Sequence, residues 1–237
     1  MWGRGLPTHL ILDGSPAIEV VLKQSSRAKR LSLRVSGLDG RVSLTVPKGV
    51  RLREAEAFLC EKEAWLRAAL ARNPERVVVK MGGAVLFRGA RYAVTPAPVR
   101  AVRLEGSALL APQSAPEKTA TRVEAFLKLQ ARQVLQDATD RYAAALGRPY
   151  GRLTLRDTRS RWGSCSAEGN LNYSWRLIMA PPKVLDYVAA HEVAHLAEMN
   201  HSPAFWDVVV RLYGPYEAER GWLRRHGAEL HRYRFND

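Results

Sequence analysis

Near the carboxyl end, the chain reads His191-Glu192-Val193-Ala194-His195, and this segment constrains the fold more than any other. Residues four apart on an α-helix lie one turn apart on the same face, so His191 and His195 can present their imidazoles side by side. Two imidazoles placed in this way can bind one Zn²⁺. Glu192 can then reach a water on the metal without being a ligand, as in zinc hydrolases that use a glutamate as general base. We therefore expect a catalytic role for Glu192.

The residues before this motif predict the helix that carries it. Pro181-Pro182 begins the segment, and proline is common in the first turn of a helix. Apolar residues then recur at helical spacing at positions Val184, Leu185, Val188, Ala189, Val193 and Leu196. The motif therefore lies on a helix with an apolar face.

A turn after this helix is expected to supply the third metal ligand. Asn200 tolerates the left-handed conformation that ends many helices, and Ser202-Pro203 is typical of the start of another helix. His201 then lies in a tight turn between two helices. A catalytic zinc site needs three protein ligands and one open position for water, and we expect His201 to complete the set. A glutamate further along, Glu217 or Glu219, is the alternative third ligand.

The size and composition are those of a globular protein that buries a substantial core: 237 residues, 46% hydrophobic and 25% charged. No apolar run approaches the roughly 18 residues of a membrane span, and the first seven residues lack the apolar core of a secretory signal. Two cysteines, Cys60 and Cys165, make no disulfide framework, which favours free thiols in a reducing compartment. We expect a cytoplasmic protein without a membrane partner.

The formal net charge of +14 is a second clue to function. Such an excess of lysine and arginine favours an anionic partner, either a nucleotide or a nucleic acid, or an acidic peptide. The alternative is that arginine is simply the default surface charge of this protein.

Hydrophobic patterning divides the chain into two predicted parts and indicates an α+β fold. Residues 1–115 form a β-rich part with one helix over 51–71, and 112–116 reads as a linker. The predicted strands of this part are at 18–23, 30–35, 41–46, 76–79, 84–87, 91–95, 99–104 and 108–111. Residues 116–237 form a largely helical catalytic part, with helices over 117–146, 203–212 and 216–226 besides the motif helix.

A small antiparallel sheet with an arginine-rich loop is predicted just before the motif helix, over 157–178. An edge strand beside a metal cleft can hold an extended substrate through main-chain hydrogen bonds. Arg159, Arg161 or Tyr173 could donate a hydrogen bond to a developing oxyanion or to a phosphate. The alternative is a structural hairpin whose arginines face solvent. Cys165 is interpreted as a structural thiol, since three histidines already suffice for the metal.

Four segments together resemble a known family. They are Arg161-Trp162-Gly163-Ser164-Cys165, Trp175-Arg176-Leu177-Ile178-Met179-Ala180-Pro181, His191-Glu192-x-x-His195 and Asn200-His201-Ser202-Pro203-x-Phe205-Trp206. In these segments the chain is similar to the YgjP-like zinc metallopeptidases, which are related to the WLM and SprT-like families. The resemblance extends over about residues 18–232 and is strongest between 159 and 206.

This resemblance implies a zincin-like catalytic region in which His191, His195 and His201 bind zinc and Glu192 is catalytic. The resemblance leaves the substrate open. Family members are called metal-dependent hydrolases or predicted peptidases, the YgjP protein itself is described as a UTP pyrophosphatase, and SprT-like relatives act near DNA. We expect a zinc metallopeptidase acting on a peptide or protein. The alternatives are a nucleotide (UTP) pyrophosphatase on the same metal site, a DNA-associated protease, or a nucleic-acid-binding zinc protein.

Overall fold

The computed structural model describes residues 6–37, 40–71 and 76–235, which belong to two units, Met1–Glu75 and Arg76–Asp237. Both units combine sheets with helices, and the predicted α+β class is confirmed. Across the described residues, no helix combines the length and the apolar character that crossing a bilayer requires.

The first unit is a four-stranded sheet with two helices. Its strands β1 to β4 are His9–Leu12, Ile18–Ser25, Ser32–Val35 and Val42–Pro47, in the order β1-β2-β4-β3. Alternate residues of the central strands are buried, as the period-2 pattern predicted. The helices α1 (Leu52–Glu61) and α2 (Glu63–Ala71) replace the single helix expected over 51–71. They are separate because Lys62, at φ −93° and ψ 5°, leaves the α-helical conformation.

A second four-stranded sheet begins the larger unit. Its strands β6 to β9 are Ala84–Phe87, Ala90–Ala97, Arg103–Glu105 and Ala108–Pro112, in the order β6-β7-β9-β8, and β5 (Val77–Val78) precedes them. The buried residues of this sheet share one hydrophobic core with the long helix α3 (Thr119–Leu146). The boundary between the two units falls between residues 75 and 76, whereas the sequence placed it after residue 115. The reason is that the apolar face of this sheet is covered by α3, so 112–116 connects two elements of one core.

The remaining elements surround the motif. A three-stranded sheet is followed by three helices and a short strand, namely β10 (Leu153–Arg156), β11 (Gly163–Cys165), β12 (Leu171–Ser174), α4 (Pro182–Ala194), α5 (Pro203–Tyr213), α6 (Glu217–Leu230) and β13 (Tyr233–Arg234). The strand order is β10-β12-β11, with β11 antiparallel and β10 parallel to β12. The antiparallel pair expected over 157–178 is confirmed by β11 and β12. β10 adds a parallel strand on the other side of β12, because the loop after β10 carries the chain past β12.

Helix α4 lies in the middle of the larger unit. It contacts α3, α5, α6 and β11, and most of its residues are buried: Val184, Leu185, Tyr187, Val188, Ala189, Ala190, Glu192, Val193 and Ala194. A helix that is buried on nearly all sides is held by tertiary packing rather than by its own propensity. The position of the motif is therefore fixed by the elements that pack around this helix.

The buried guanidinium of Arg176 ties the loop before β11 to the carboxyl end of the chain. Its Nε donates to Asp157 Oδ1 at 2.7 Å and its Nη2 to Asp157 Oδ2 at 3.2 Å. Its Nη1 donates to the carbonyl oxygens of Leu230 (2.9 Å) and Tyr233 (3.1 Å). Burial alone would raise the pKa of Asp157, but the hydrogen bonds and charge of Arg176 outweigh it and lower that pKa below its ordinary value.

Replacing Asp157 by asparagine should destabilise the protein by about 2 kcal/mol at neutral pH. This loss of unfolding free energy lies between that of an exposed ion pair and that of a fully buried one. The reason is that the Arg176 side chain is 8% exposed and the Asp157 side chain is 48% exposed. With a lowered native pKa, the contribution of Asp157 is complete above its unfolded pKa of about 3.9 and disappears as pH falls through the native pKa. Urea unfolding between pH 2 and pH 7 should show this pH dependence in the wild type and not in Asp157→Asn.

The matched control is Asp137→Asn, which changes an exposed aspartate of α3 and should leave the unfolding free energy nearly unchanged. Equal unfolding free energies for wild type and Asp157→Asn at pH 7 would contradict this role of the Arg176 pair.

Candidate metal centre

Three imidazoles converge where α4 ends. His191 lies in the last turn of α4, His195 is its C-terminal cap, and His201 lies in the turn before α5. The ring centroids are 5.1 Å apart for His191 and His195, 5.1 Å for His191 and His201, and 4.8 Å for His195 and His201. One nitrogen from each ring lies within 4.8 Å of the others. The spacing of the motif therefore brings the three predicted histidines together.

The hydrogen bonds around the cluster show which nitrogens face its centre. Nδ1 of His195 lies 3.0 Å from the carbonyl oxygen of Glu198. A carbonyl only accepts, so Nδ1 carries the hydrogen and the lone pair of His195 is on Nε2. The Nε2 atoms of His191 and His201 lie 3.1 Å apart. Around a tetrahedral ion with metal–nitrogen distances of about 2.0–2.1 Å, ligand nitrogens would be roughly 3.3 Å apart, so this separation fits a shared cation.

The pKa shifts of His191 and His195 also fit a metal site. Burial, together with the neighbouring imidazoles, lowers the pKa of His191 to about 3. Burial lowers the pKa of His195 as well, although its bond to Glu198 opposes the shift. Neutral imidazoles are what a divalent cation requires as ligands. Among the residues that the structure describes, no further histidine, cysteine or carboxylate belongs to this group.

The alternative third ligands lie outside the cluster. Neither Glu217 nor Glu219 belongs to the group of three histidines. Glu217 instead accepts a hydrogen bond from the backbone N–H of Tyr216 at 3.0 Å. His201 is therefore the third residue that the geometry offers to a metal.

The turn that carries His201 differs in one respect from the prediction. Helix α4 ends at Ala194, and Asn200 is not left-handed, since Arg88 is the only described residue other than glycine with a positive φ. The chain turns earlier because two short backbone bonds follow the helix, Leu196 N to Val193 O (2.9 Å) and Ala197 N to Ala194 O (3.0 Å). Asn200 acts through its side chain, whose Oδ1 accepts from the Ser202 N–H at 3.0 Å, just before α5.

Glu192 is buried beside the cluster, with 5% of its surface exposed. Its carboxylate lies directly over β11, because a Cβ added to Gly163 would be 2.5 Å from both Glu192 Cγ and Oε1. Burial raises the pKa of Glu192 to about 8, and the positive charge of Arg161 opposes that shift. Gly163 is a site residue that the sequence analysis did not single out, although a glycine within a strand often marks a close approach by another group.

The cluster and Glu192 open onto a pocket of about 500 Å³. Its other lining residues come from the loop before β11, from β11 itself, from α4, from the turn after α4 and from α6: Arg161, Trp162, Gly163, Ser164, Cys165, Tyr187, Val188, Met199, Arg220, Leu223 and Arg224. A candidate metal centre that lines a pocket is the arrangement that a hydrolytic enzyme requires.

Comparison with known proteins identifies the family. The model of the YgjP-like family, metallopeptidase domain, matches residues 29–226. The chain belongs to the YgjP-like metallopeptidase family. The same histidine cluster is thus a metal site in a family of metal-dependent hydrolases.

Other comparisons add little to this assignment. The crystal structure of the metallopeptidase zymogen abylysin from Pyrococcus abyssi is similar over 41% of this chain and 92% of that chain, at 21% identity and a TM-score of 0.33. A similarity this low carries no functional argument. The comparison with curated proteins gives no match.

Of the three predicted substrate residues in this YgjP-like chain, the structure places only Arg161 in the pocket. Tyr173 is fully buried and its hydroxyl lies 3.2 Å from Thr139 Oγ1, so it belongs to the core. Arg159 is exposed and does not line the pocket. The sequence analysis missed Arg220 and Arg224, which lie one turn apart on α6 and therefore share a face.

Cys165 lines the pocket and lies outside the histidine cluster, and its interpretation as a structural thiol stays a prediction. Its Sγ lies 3.3 Å from the carbonyl oxygen of Ser166. Burial, and then the nearby Glu192, raise the pKa of Cys165 to about 11, so the group is a neutral thiol at physiological pH.

Aromatic rings support the imidazoles from behind. The fully buried Phe205 stacks on His195 with ring centroids 4.5 Å apart, and it packs edge-on against His191 (4.9 Å) and His201 (4.7 Å). Trp206 lies 5.7 Å from His201. These contacts fix the ring orientations, as supporting contacts do around metal ligands.

Replacing Gly163 by alanine should separate metal binding from catalysis. The added methyl group would displace the Glu192 carboxylate but not the three histidines, so the variant should bind metal and lose about 100-fold in kcat/KM for peptide hydrolysis. The measurements are metal content by atomic emission and steady-state kinetics on a fluorogenic peptide. Gly37→Ala is the control, because a Cβ there meets no atom within 4 Å. Wild-type activity in Gly163→Ala would show that Glu192 does not need this glycine.

Proposed function

We propose that this chain is a zinc-dependent metallopeptidase in which His191, His195 and His201 hold the zinc and Glu192 is the general base. The observation that carries the proposal is the convergence of three imidazoles beside a buried carboxylate, all of which line one pocket. Three histidines with an open fourth position are typical of catalytic rather than structural zinc, whereas magnesium and calcium prefer oxygen ligands.

The proposed mechanism assigns the proton transfers to Glu192. Bound zinc would lower the pKa of its water, polarise the peptide carbonyl and, by its charge, favour the ionised form of Glu192. The Glu192 carboxylate accepts a proton from the attacking water and passes it to the leaving nitrogen. Arg161 also favours the ionised form, since its charge lowers the pKa of Glu192. Gly163 keeps the space in which that carboxylate lies.

An open strand edge supports a peptide substrate. β11 is at the edge of its sheet, and the Trp162 carbonyl and Ser166 N–H at its two ends bond toward β12. The main-chain N–H and C=O groups of successive strand residues point to opposite sides. Because those of Trp162 and Ser166 point toward β12, those of Gly163 and Cys165 point away from it. An extended peptide can pair with these groups beside Glu192, a recognised mode of peptide binding.

A second candidate function is hydrolysis of a nucleotide such as UTP on the same metal site. The observation that favours it is the set of three arginines, Arg161, Arg220 and Arg224, that lines the pocket. Against it, Glu192 is the one carboxylate among the described lining residues, so there is no carboxylate group for the Mg²⁺ that usually accompanies a nucleotide.

We also infer the compartment of the protein and the charge of its partner. Cys60 and Cys165 are both free, which supports a reducing compartment, and we infer a cytoplasmic protein. The net charge of +14 supports an acidic peptide or a DNA-associated protein substrate over a basic one.

Glu192→Gln should retain the metal and lose about 10²- to 10⁴-fold in kcat, because the amide cannot accept the proton of the attacking water. His195→Ala should lose the metal and the activity together. His226→Ala is the matched control, since its ring contacts Glu229 outside the cluster and should leave both properties unchanged. Metal content and peptide cleavage are measured on all three variants. Undiminished turnover in Glu192→Gln would remove this residue as the base.

The substrate class is decided by testing a peptide library, nucleoside triphosphates and a DNA-bound protein side by side with wild type and Glu192→Gln. Cleavage of peptide bonds that the variant lacks supports the proposal. Hydrolysis confined to nucleotides and abolished in the same variant would replace it by the second candidate function.

A further inference from the structure

The pocket carries more positive charge than the proposed catalytic step uses. Arg161, Arg220 and Arg224, here called the arginine rim, all line it, whereas Glu192 is the one carboxylate among the described lining residues. None of the three guanidinium groups forms an ion pair with any residue that the structure describes. Three unpaired like charges at one pocket repel one another, and an anion bound between them would relieve that repulsion.

Arg220 is held in place by a stack of aromatic rings. Its guanidinium lies over the Trp206 ring, 4.7 Å from the ring centroid. Trp206 stacks on Tyr216 at 4.8 Å and 17°, and Tyr216 stacks on Tyr187 at 5.8 Å and 8°. A guanidinium that stacks through its face keeps the N–H groups at its edge for a ligand, and a carboxylate can accept two of them. The stack therefore orients a carboxylate-binding group before any ligand arrives.

The positions of the arginines on helix α6 distinguish the arginine rim from an ordinary solvated surface. Arg220 and Arg224 are one turn apart and line the pocket, with Leu223 between them on the same face. The adjacent Arg225 does not line the pocket, and its guanidinium lies along its own helix, where a Cβ at Gly221 would be 3.1 Å from its Nη1. Neighbouring arginines of one helix thus differ in position, and Arg225 is a matched control for the other two.

We propose that the arginine rim is a subsite for a carboxylate of the peptide substrate, either an aspartate or glutamate side chain near the cleaved bond or the free C-terminal carboxylate. The inference rests on the proposed peptidase function and names the substrate class of the same site. Leu223, on the same face of α6, offers an apolar contact for the methylene groups that carry such a carboxylate. A substrate that has a neutral amide in place of the carboxylate leaves the guanidinium groups unpaired, and it therefore binds more weakly than the acidic substrate.

The test compares peptides that differ only in charge. One series has glutamate or glutamine at each position around the cleaved bond, with an amidated C-terminus, and a second series has a free or amidated C-terminus with no acidic side chain. Two readouts are used: kcat/KM with wild type, and binding of labelled peptides to zinc-loaded Glu192→Gln by fluorescence anisotropy. We expect about tenfold or greater preference for the carboxylate in both readouts, because a charge-assisted hydrogen bond is made or lost.

The arginine variants locate the effect. In the double variant Arg220→Gln, Arg224→Gln, the preference for the carboxylate should fall toward unity in both readouts, whereas Arg225→Gln removes a charge from the same helix and should keep the full preference. Binding of the acidic peptide should also weaken as salt rises from 50 to 500 mM in the wild-type pocket and much less in the double variant. With the wild type, a preference in the first peptide series identifies a side-chain carboxylate, and a preference in the second series identifies the C-terminal carboxylate.

The outcomes separate this inference from the proposed function. Cleavage with equal kcat/KM for acidic and neutral peptides would overturn the carboxylate subsite and keep the peptidase. A preference that survives in the double variant, or disappears in Arg225→Gln, would also overturn the subsite. Tight binding of acidic peptides without cleavage by the wild type would support the subsite and contradict the peptidase. Nucleoside triphosphate hydrolysis without cleavage or binding of any peptide would overturn both.

Discussion

The structure depends on one constraint, which is that a nearly fully buried helix and the turn after it must bring three imidazoles to a single point. Helix α4 supplies His191 and His195 from one face, one turn apart, and the turn after it supplies His201. Every element that contacts α4 therefore also acts on the candidate metal centre. Helix α5 contributes the aromatic ring of Phe205 behind the imidazoles, and β11 provides the gap at Gly163 for the Glu192 carboxylate.

The local part of this arrangement could be predicted from the sequence. The spacing of His191 and His195, the glutamate between them, and the proline at the start of the helix each depend on neighbours within a few residues. The long helix α3 and most strands were predicted for the same reason, because helical and strand periodicities are local properties. Family membership then agrees with a metal-dependent hydrolase, as the resemblance implied.

The errors share a physical cause, which is that tertiary contacts decided the outcome. The domain boundary was placed at a proline-rich loop, but the sheet before that loop is covered by α3 and belongs to the same core. Tyr173 has a polar group that is buried in the core, and nothing in its sequence context shows this. Gly163 could not be assigned to the site, because its partner Glu192 is distant in sequence. Arg220 could not be assigned either, because its partner Trp206 is on another helix.

The coordination of the bound metal is the most direct test of the three-histidine centre. X-ray absorption spectroscopy of the zinc-loaded protein should show three imidazole nitrogens at about 2.0–2.1 Å and one light-atom ligand from water. The same spectrum of Glu192→Gln should show the same three imidazoles. A thiolate or second carboxylate ligand from the protein, or fewer than three imidazoles, would contradict the open three-histidine centre on which the proposed function rests.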